Sequence, residues 1–378
     1  MDLKLSTEQR EIQTAVRDLL AEKSSIDYIR TMEADSVGYD AELWDALAEI
    51  GIPGLLIGES HGGLDLGWEE VAVVFEEIGR SLAPSPVFET AVLAVGLLSE
   101  APDDVREHWL RSIAAGRAKF AVGWKEFGGS AGKTGIQTTV ADVDGSLVLN
   151  GLKAAVSYAN SVDQIIVLAR SSRDTADVDV ILVEPDAEGV ELVRVDSLGS
   201  TPQFNVHLRD VRVNAPARLN APGGGWALWE ETLLRSRIAR AAWAIGVADR
   251  VLELASDYAR EREQFGRPIG GFQGISHPLA TIAMNVTSNR LLTQEAAWAV
   301  DAGKPWKRLA AFAGERAPEV ARLSTKVGHQ TFGGIGFTNA IDIQLFSRRA
   351  KEQQAQWSDP AGLTDLIVDS VLDGKDQN

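Results

Sequence analysis

The strongest constraint on how this chain folds is a change of hydrophobic period, from helical to strand-like near Lys119 and back to helical near Trp226. In the first part, Ser6 and Gln9 form a capping box, and Ile12, Val16, Leu19 and Leu20 recur at helical spacing behind it. Amphipathic patterns follow over Leu43 to Ile50, Trp68 to Ile78, Val87 to Leu98 and Asp104 to Ala115, broken by Gly51 to Gly54 and by Pro84 and Pro86. Strand-like runs then cover Phe120 to Trp124, Gly135 to Val140, Ser146 to Leu149, Gln164 to Ala169, Val178 to Val183, Val190 to Val195 and Val206 to Val213, with Asp144-Gly145 as a hairpin turn. Long helical stretches return at Trp226 to Arg262, His277 to Ala302, Trp306 to Phe332 and Ile341 to Gln356, the lengths expected of a bundle. The expected fold is therefore α+β. It comprises an all-helical domain over 1–116, a middle β domain of sandwich or barrel type over 117–217, and a helical bundle of four helices over 218–378.

One stretch in the last part carries chemistry. Arg262-Glu263-Gln264-Phe265-Gly266-Arg267-Pro268-Ile269-Gly270-Gly271-Phe272-Gln273 places two permanent cations, an aromatic ring and an amide close together after a long helix. A guanidinium suits phosphate oxygens, Phe265 offers a stacking face, and Gln273 both donates and accepts toward a polar ring system. That set suits a dinucleotide. The same residues also read as a helix end followed by a surface turn at Arg267-Pro268. Gly223-Gly224-Gly225 reads as a joint between domains, although backbone N–H groups ahead of a helix also suit a phosphate.

Charge limits the partners. Against 37 basic residues stand 54 acidic ones, a net charge of -17, so the averaged field repels nucleic acid and anionic membrane and any phosphate must be held locally. There is no cysteine, which excludes disulfides, thiolate metal sites and a cysteine nucleophile. His61, His108, His207, His277 and His329 show no metal-ligand spacing, so no metal site is expected. The start carries no basic region followed by an apolar run, and no segment approaches the roughly eighteen apolar residues of a membrane span. A soluble cytoplasmic protein is expected.

Gly58-Glu59-Ser60-His61-Gly62-Gly63 and Glu76-Glu77-Ile78-Gly79-Arg80 early on, with Tyr258 through Ile269 and Gln330-Thr331-Phe332-Gly333-Gly334-Ile335-Gly336 later, resemble the signatures of the acyl-CoA dehydrogenase family of FAD enzymes, and the resemblance runs over nearly the whole length of the chain. It implies that Arg262, Gln264, Phe265 and Gln273 contact FAD bound mainly to a neighbouring subunit, and that Gln330, Gly333 and Gly334 approach its adenosine half. Without the family, the glycines after Gln330 are a helix stop. The segment Gly151-Leu152-Lys153-Ala154-Ala155-Val156-Ser157-Tyr158-Ala159-Asn160 is similar to the family's flavin-ring segment. Ser157 takes the place of the hydroxyl that bonds the ring, while Ala155 stands where an indole is expected. In the second ring segment, Trp124-Lys125-Glu126-Phe127, Glu126 alone keeps its place.

The base departs further from the family. Abstraction of an α-proton from an acyl thioester needs a carboxylate whose proton affinity an apolar pocket raises. Aligned on Arg348-Arg349-Ala350-Lys351, Trp357 falls on the family glutamate, and at the alternative place on the long helix stands Ser236. Asp359 is the nearest substitute, but Ser358-Asp359-Pro360 is also a good helix start. Two readings result. One is an FAD-dependent acyl-CoA dehydrogenase with Asp359 or another carboxylate as base, passing electrons to an electron-transfer flavoprotein. The other is a base-less partner subunit of a heteromeric acyl-CoA dehydrogenase, which supplies FAD-binding residues across the interface while a glutamate-bearing subunit supplies the base; a homo- or hetero-oligomer, dimer or tetramer, is expected.

Overall fold

The computed structural model describes residues 4–128, 132–171, 177–357, 362–364 and 366–368. Asp359 lies outside them. In chain order the helices α1 (Thr7–Lys23), α2 (Ile26–Met32), α3 (Ala41–Glu49), α4 (Trp68–Ser81), α5 (Val95–Leu98) and α6 (Asp103–Ala114) come first. Strands β1 (Phe120–Gly123), β2 (Thr139–Val143), β3 (Ser146–Ser157), β4 (Gln164–Arg170), β5 (Val178–Val183), β6 (Val190–Val195) and β7 (Gln203–Asn214) follow. Then come α7 (Gly225–Glu261), the two-residue strands β8 (Glu263–Gln264) and β9 (Arg267–Pro268), and α8 (Gln273–Asp301), α9 (Lys307–Phe332) and α10 (Ile343–Trp357). Among the described residues, helices, then a sheet, then the long helices α7 to α10 is the expected α+β order.

The backbone gathers into two units, one of Met1–Arg30, Trp68–Ala83 and Arg237–Asn378, the other of Thr31–Gly67 and Pro84–Ser236. In the first, α1 starts on the expected box: the Ser6 hydroxyl accepts from the Gln9 N–H at 3.1 Å and the Gln9 amide oxygen accepts from the Ser6 N–H at 3.0 Å. Asp301, at the end of α8, caps α4 by accepting from the Trp68 and Glu69 N–H groups, each at 2.9 Å. Buried small and branched residues make the core, among them Ile245, Ala248 and Val251 of α7, Ile282 and Val286 of α8, Ala317 and Val320 of α9, and Phe346 of α10. Small residues let these helices approach closely.

The second unit is built on a seven-stranded sheet of order β1-β4-β2-β3-β7-β6, with β5 added against β4. β1 and β4 run parallel, whereas β3 pairs β7 and β4 pairs β5 antiparallel. Every residue of β5 is buried, the apolar stretch 180–183 and also Asp179, whose carboxylate is paired with Arg218 at 3.0 Å. Asp144 and Gly145, both left-handed (φ 53° and 80°), make the expected turn between β2 and β3.

Several expectations are corrected. Gly135 ends a 3-10 turn and the strand begins only at Thr139. Val87 to Leu98 is helical throughout, as expected, with a π-helical turn over Glu89–Ala94 that runs on into α5. β3 runs on to Ser157, well past Leu149, and α8 begins at Gln273 and not at His277, with Pro278 inside it.

Candidate functional site

At the end of α7 the Arg262 N–H donates to the Tyr258 carbonyl at 2.8 Å, and the Arg262 carbonyl accepts from the Ile269 N–H at 2.8 Å. Between these anchors the chain doubles back in a small hairpin, Glu263 opposite Pro268 and Gln264 opposite Arg267. Phe265 (φ 55°) and Gly266 (φ 78°) form its two-residue turn. A phenylalanine in the left-handed region is strained, and this one is 93% exposed. The Arg267 guanidinium lies 4.0 Å from the centre of the Phe272 ring, and Phe265 meets the same ring edge-on at 6.1 Å. The hairpin is thus braced by Arg267 and Phe272 while Arg262, Gln264 and Gln273 are exposed.

The second signature lies in the same unit. Tyr258 of α7 and Phe332 of α9 are 4.6 Å apart, centre to centre, which joins the helix ends that carry the two signatures. Beyond Phe332 the backbone turns at Gly333 (φ 65°), and a Cβ added at Gly333 or Gly334 would meet nothing within 4 Å. His329 is fixed beside them, its Nε2 2.8 Å from the Ser347 hydroxyl and its ring stacked on Phe337 at 4.9 Å; burial holds its pKa below the usual value. Arg262, Gln273 and Gln330 have no side-chain hydrogen bond among the described residues. Exposed Phe265, Ile335 and Phe337 accompany them.

Ser157 belongs to the other unit, at the end of β3 opposite Gln203 of β7, and is 4% exposed. β3 bulges between Lys153 and Val156, with Ala155 left-handed at φ 52°. There the Ala154 N–H donates to the Lys125 carbonyl at 2.9 Å and the Ala155 N–H to the Asn205 side-chain oxygen at 3.2 Å. Fully buried Lys153 reaches Glu126 at 2.5 Å. The Glu126 carboxylate also accepts from the N–H groups of Gln137 at 2.7 Å and Thr138 at 3.0 Å. Burial drags the Lys153 pKa down to about 8 despite the carboxylate beside it. Burial would raise Glu126, but the ammonium and the N–H groups outweigh it and hold its pKa below the usual range.

At the position expected for the base, Trp357 is 4% exposed at the end of α10. The Arg240 guanidinium lies 4.9 Å from the centre of its ring and donates to the Gln353 side-chain oxygen at 3.1 Å and carbonyl at 3.0 Å. At the other position Ser236 is fully buried and its hydroxyl donates to the Leu233 carbonyl at 2.7 Å. Several buried ionisable residues escaped the sequence reading, among them Lys153, Asp179 on β5 and Glu352, the last 6% exposed on α10. A charge on an amphipathic helix or a strand reads as solvated; only the partner across space reveals otherwise. Among the described residues no cluster of ligands suits a metal, and no helix is long and apolar enough to cross a membrane.

Residues 6–117 match the acyl-CoA dehydrogenase N-terminal domain, and residues 223–355 match the acyl-CoA dehydrogenase C-terminal domain. The chain belongs to the acyl-CoA dehydrogenase family. It is 28% identical over 361 residues to the probable acyl-CoA dehydrogenase YngJ of Bacillus subtilis (strain 168), covering 93% of this chain and 94% of that one. Butyryl-CoA dehydrogenase from Megasphaera elsdenii superposes with a TM-score of 0.90 at 26% identity, covering 98% of this chain and all of the other. A chain of the ChsE4–ChsE5 complex from Mycobacterium tuberculosis gives a TM-score of 0.88 at 26% identity over 98% of this chain and 99% of its own. Membership in this family accounts for the helix, sheet, helix order.

Proposed function

We propose that this chain is a flavin-binding subunit of an acyl-CoA dehydrogenase assembly. In this reading it lends Arg262, Gln264, Phe265 and Gln273, with Gln330, Gly333 and Gly334, to FAD held mainly by a neighbouring subunit, and Ser157 faces the ring of a flavin bound to its own β domain. Its own base position is closed. The observation that carries this is the Arg240 guanidinium over the buried ring of Trp357, where the family resemblance puts a carboxylate.

The residues present fit the cofactor. Arg262, Gln273 and Gln330 are exposed without side-chain hydrogen bonds among the described residues, and there is open space over Gly333 and Gly334, as a ligand completed by a second chain requires. In a chain of net charge -17, a fixed guanidinium is the kind of local cation a pyrophosphate needs. FAD held there would supply the hydride acceptor for the β-carbon of an acyl thioester, with an electron-transfer flavoprotein as the onward electron acceptor. This chain's part is to hold the dinucleotide, while the α-proton goes to a carboxylate of a glutamate-bearing relative. The ChsE4–ChsE5 structure, a complex of two named components, supports a mixed assembly.

Expression of the chain alone and with a glutamate-bearing relative, followed by flavin absorbance and anaerobic addition of acyl-CoAs, tests the proposal. Flavin retained only on co-expression, and bleached only there, is the expected result. Bleaching by a thioester in the chain alone overturns it in favour of a complete dehydrogenase. In that case loss of turnover without loss of flavin in Asp359→Asn assigns the proton to Asp359.

A further inference from the structure

Three segments of the β domain converge on one buried ion pair. Lys153 leaves β3 at its bulge, Glu126 follows the end of β1, and Gln137 and Thr138 lead into β2. Space for the lysine stem exists because β1 ends in glycine: a Cβ at Gly123 would stand 3.0 Å from Lys153 Cγ. The Ala154 N–H adds a main-chain tie to Lys125, at the point where β3 departs from regular pairing with β7. Beyond the clamp, buried Trp124 packs on Trp229 at 5.4 Å.

A buried ion pair is a poor source of stability, because desolvation of two charges offsets most of their attraction and an apolar pair of similar volume often does as well. Its worth lies in geometry. A carboxylate that accepts from one ammonium and two successive N–H groups fixes all three segments in one arrangement, which a slippery apolar contact does not. Two of those segments, 124–127 and 151–160, are the ones the family resemblance assigns to the flavin ring. At both, this chain lacks part of the usual side-chain set, with Ala155 and Trp124-Lys125 in place of the expected residues.

We infer that Glu126 and Lys153 are positioning residues for the flavin ring: without touching it, they clamp the two ring-binding segments together and set the shape of the pocket that Ser157 completes. The inference rests on the FAD reading above. It deepens that reading by placing the ring's support in a charge clamp and not in direct contacts.

The test compares the full-length chain, loaded with FAD alone or with its partner, with Lys153→Met, Glu126→Gln and the double variant. Each is followed by thermal unfolding of the apo form, FAD dissociation constant and visible circular dichroism of the bound flavin. Both single variants are expected to weaken FAD roughly tenfold or more, the scale on which supporting residues act, and to alter the flavin dichroism. The double variant should be no worse than either single one, since the two act as a unit. Lower melting temperatures with unchanged FAD affinity and dichroism would make the pair merely structural and overturn the inference. Where Lys153→Met does not fold, Glu126→Asp, which keeps the charge and shortens the reach, decides by the same two flavin readouts. Wild-type chain that takes up no FAD, alone or co-expressed, overturns the cofactor reading and this inference with it. FAD bound equally by wild type and variants overturns the inference alone.

Discussion

Arg240 covers the face of Trp357, its guanidinium 4.9 Å from the ring centre and tied to Gln353 on the same helix as the indole. Both partners are anchored, so the contact is a fixed wall and not a passing one. A guanidinium over an indole contributes about 0.5–2 kcal/mol depending on desolvation. It also dictates what any group placed there can do.

That makes the restoration of a base a two-step matter. Trp357→Glu alone puts a carboxylate beside a permanent cation, which favours the charged form and lowers its pKa, opposite to what α-proton abstraction needs. The expected outcome is no bleaching of bound flavin by acyl-CoAs. Trp357→Glu with Arg240→Met removes the cation and should give measurable anaerobic bleaching. Equal activity in single and double variants would show that Arg240 does not govern the position.

The pH response of Lys153 has a definite sign. In the folded chain its midpoint is about 8, against an ordinary value of 10.5, so between those limits the unfolded chain binds the extra proton and stability rises with pH. The slope from this one group is at most about 1.4 kcal/mol per pH unit, and it vanishes below the folded midpoint. Urea unfolding on both sides of the window should show wild type gaining on Lys153→Met as pH rises. A constant difference would mean that the lysine keeps its proton throughout.

Gly79 and Gly246 set how closely α4 and α7 pack. A Cβ at Gly79 would lie 2.0 Å from the Trp243 carbonyl oxygen, and one at Gly246 would lie 1.9 Å from that of Glu76. Each glycine faces the other helix's backbone, which cannot rotate away as a side chain does. Either Gly→Ala change should therefore cost about 1–3 kcal/mol or more, read as a lower denaturation midpoint in urea. Alanine at Gly62, where the added Cβ meets nothing, controls for the intrinsic effect of losing glycine, although its φ of 82° adds strain of its own.

How much of this was legible in the sequence depended on the range of the interaction. The Ser6–Gln9 box, the Asp144-Gly145 turn and the long helices of the last part are local features, written in spacing, and the structure has them. The Gly135 to Thr138 stretch reads as strand by composition, yet its N–H groups at 137 and 138 go to Glu126. No local pattern announces that. The hairpin after Arg262 has a phenylalanine where turn chemistry favours asparagine or glycine, so its turn was not evident. Of the candidate residues, those near the two signatures fall in one unit and Ser157 in the other, a division that follows from which helices pack together and not from spacing.

Arg262 gives the sharpest test of the cofactor edge because its two duties separate. Its backbone holds the hairpin through Tyr258 and Ile269, which any residue can do, while its guanidinium is exposed and makes no hydrogen bond among the described residues. Arg262→Met should therefore leave the melting temperature of the flavin-free chain within about 0.5 kcal/mol of wild type in stability terms. A charge-assisted contact to phosphate is worth about 1.5–3 kcal/mol, so FAD retention by the assembly should fall by roughly one to two orders of magnitude. Lysine at the same place keeps the charge but not the two-pronged geometry and should recover part of the loss. Isothermal titration of FAD into the assembled protein, with wild type, Arg262→Met and Arg262→Lys side by side, measures all three. Unchanged affinity in Arg262→Met would remove this guanidinium from the flavin edge and with it the main reason to place a cofactor there.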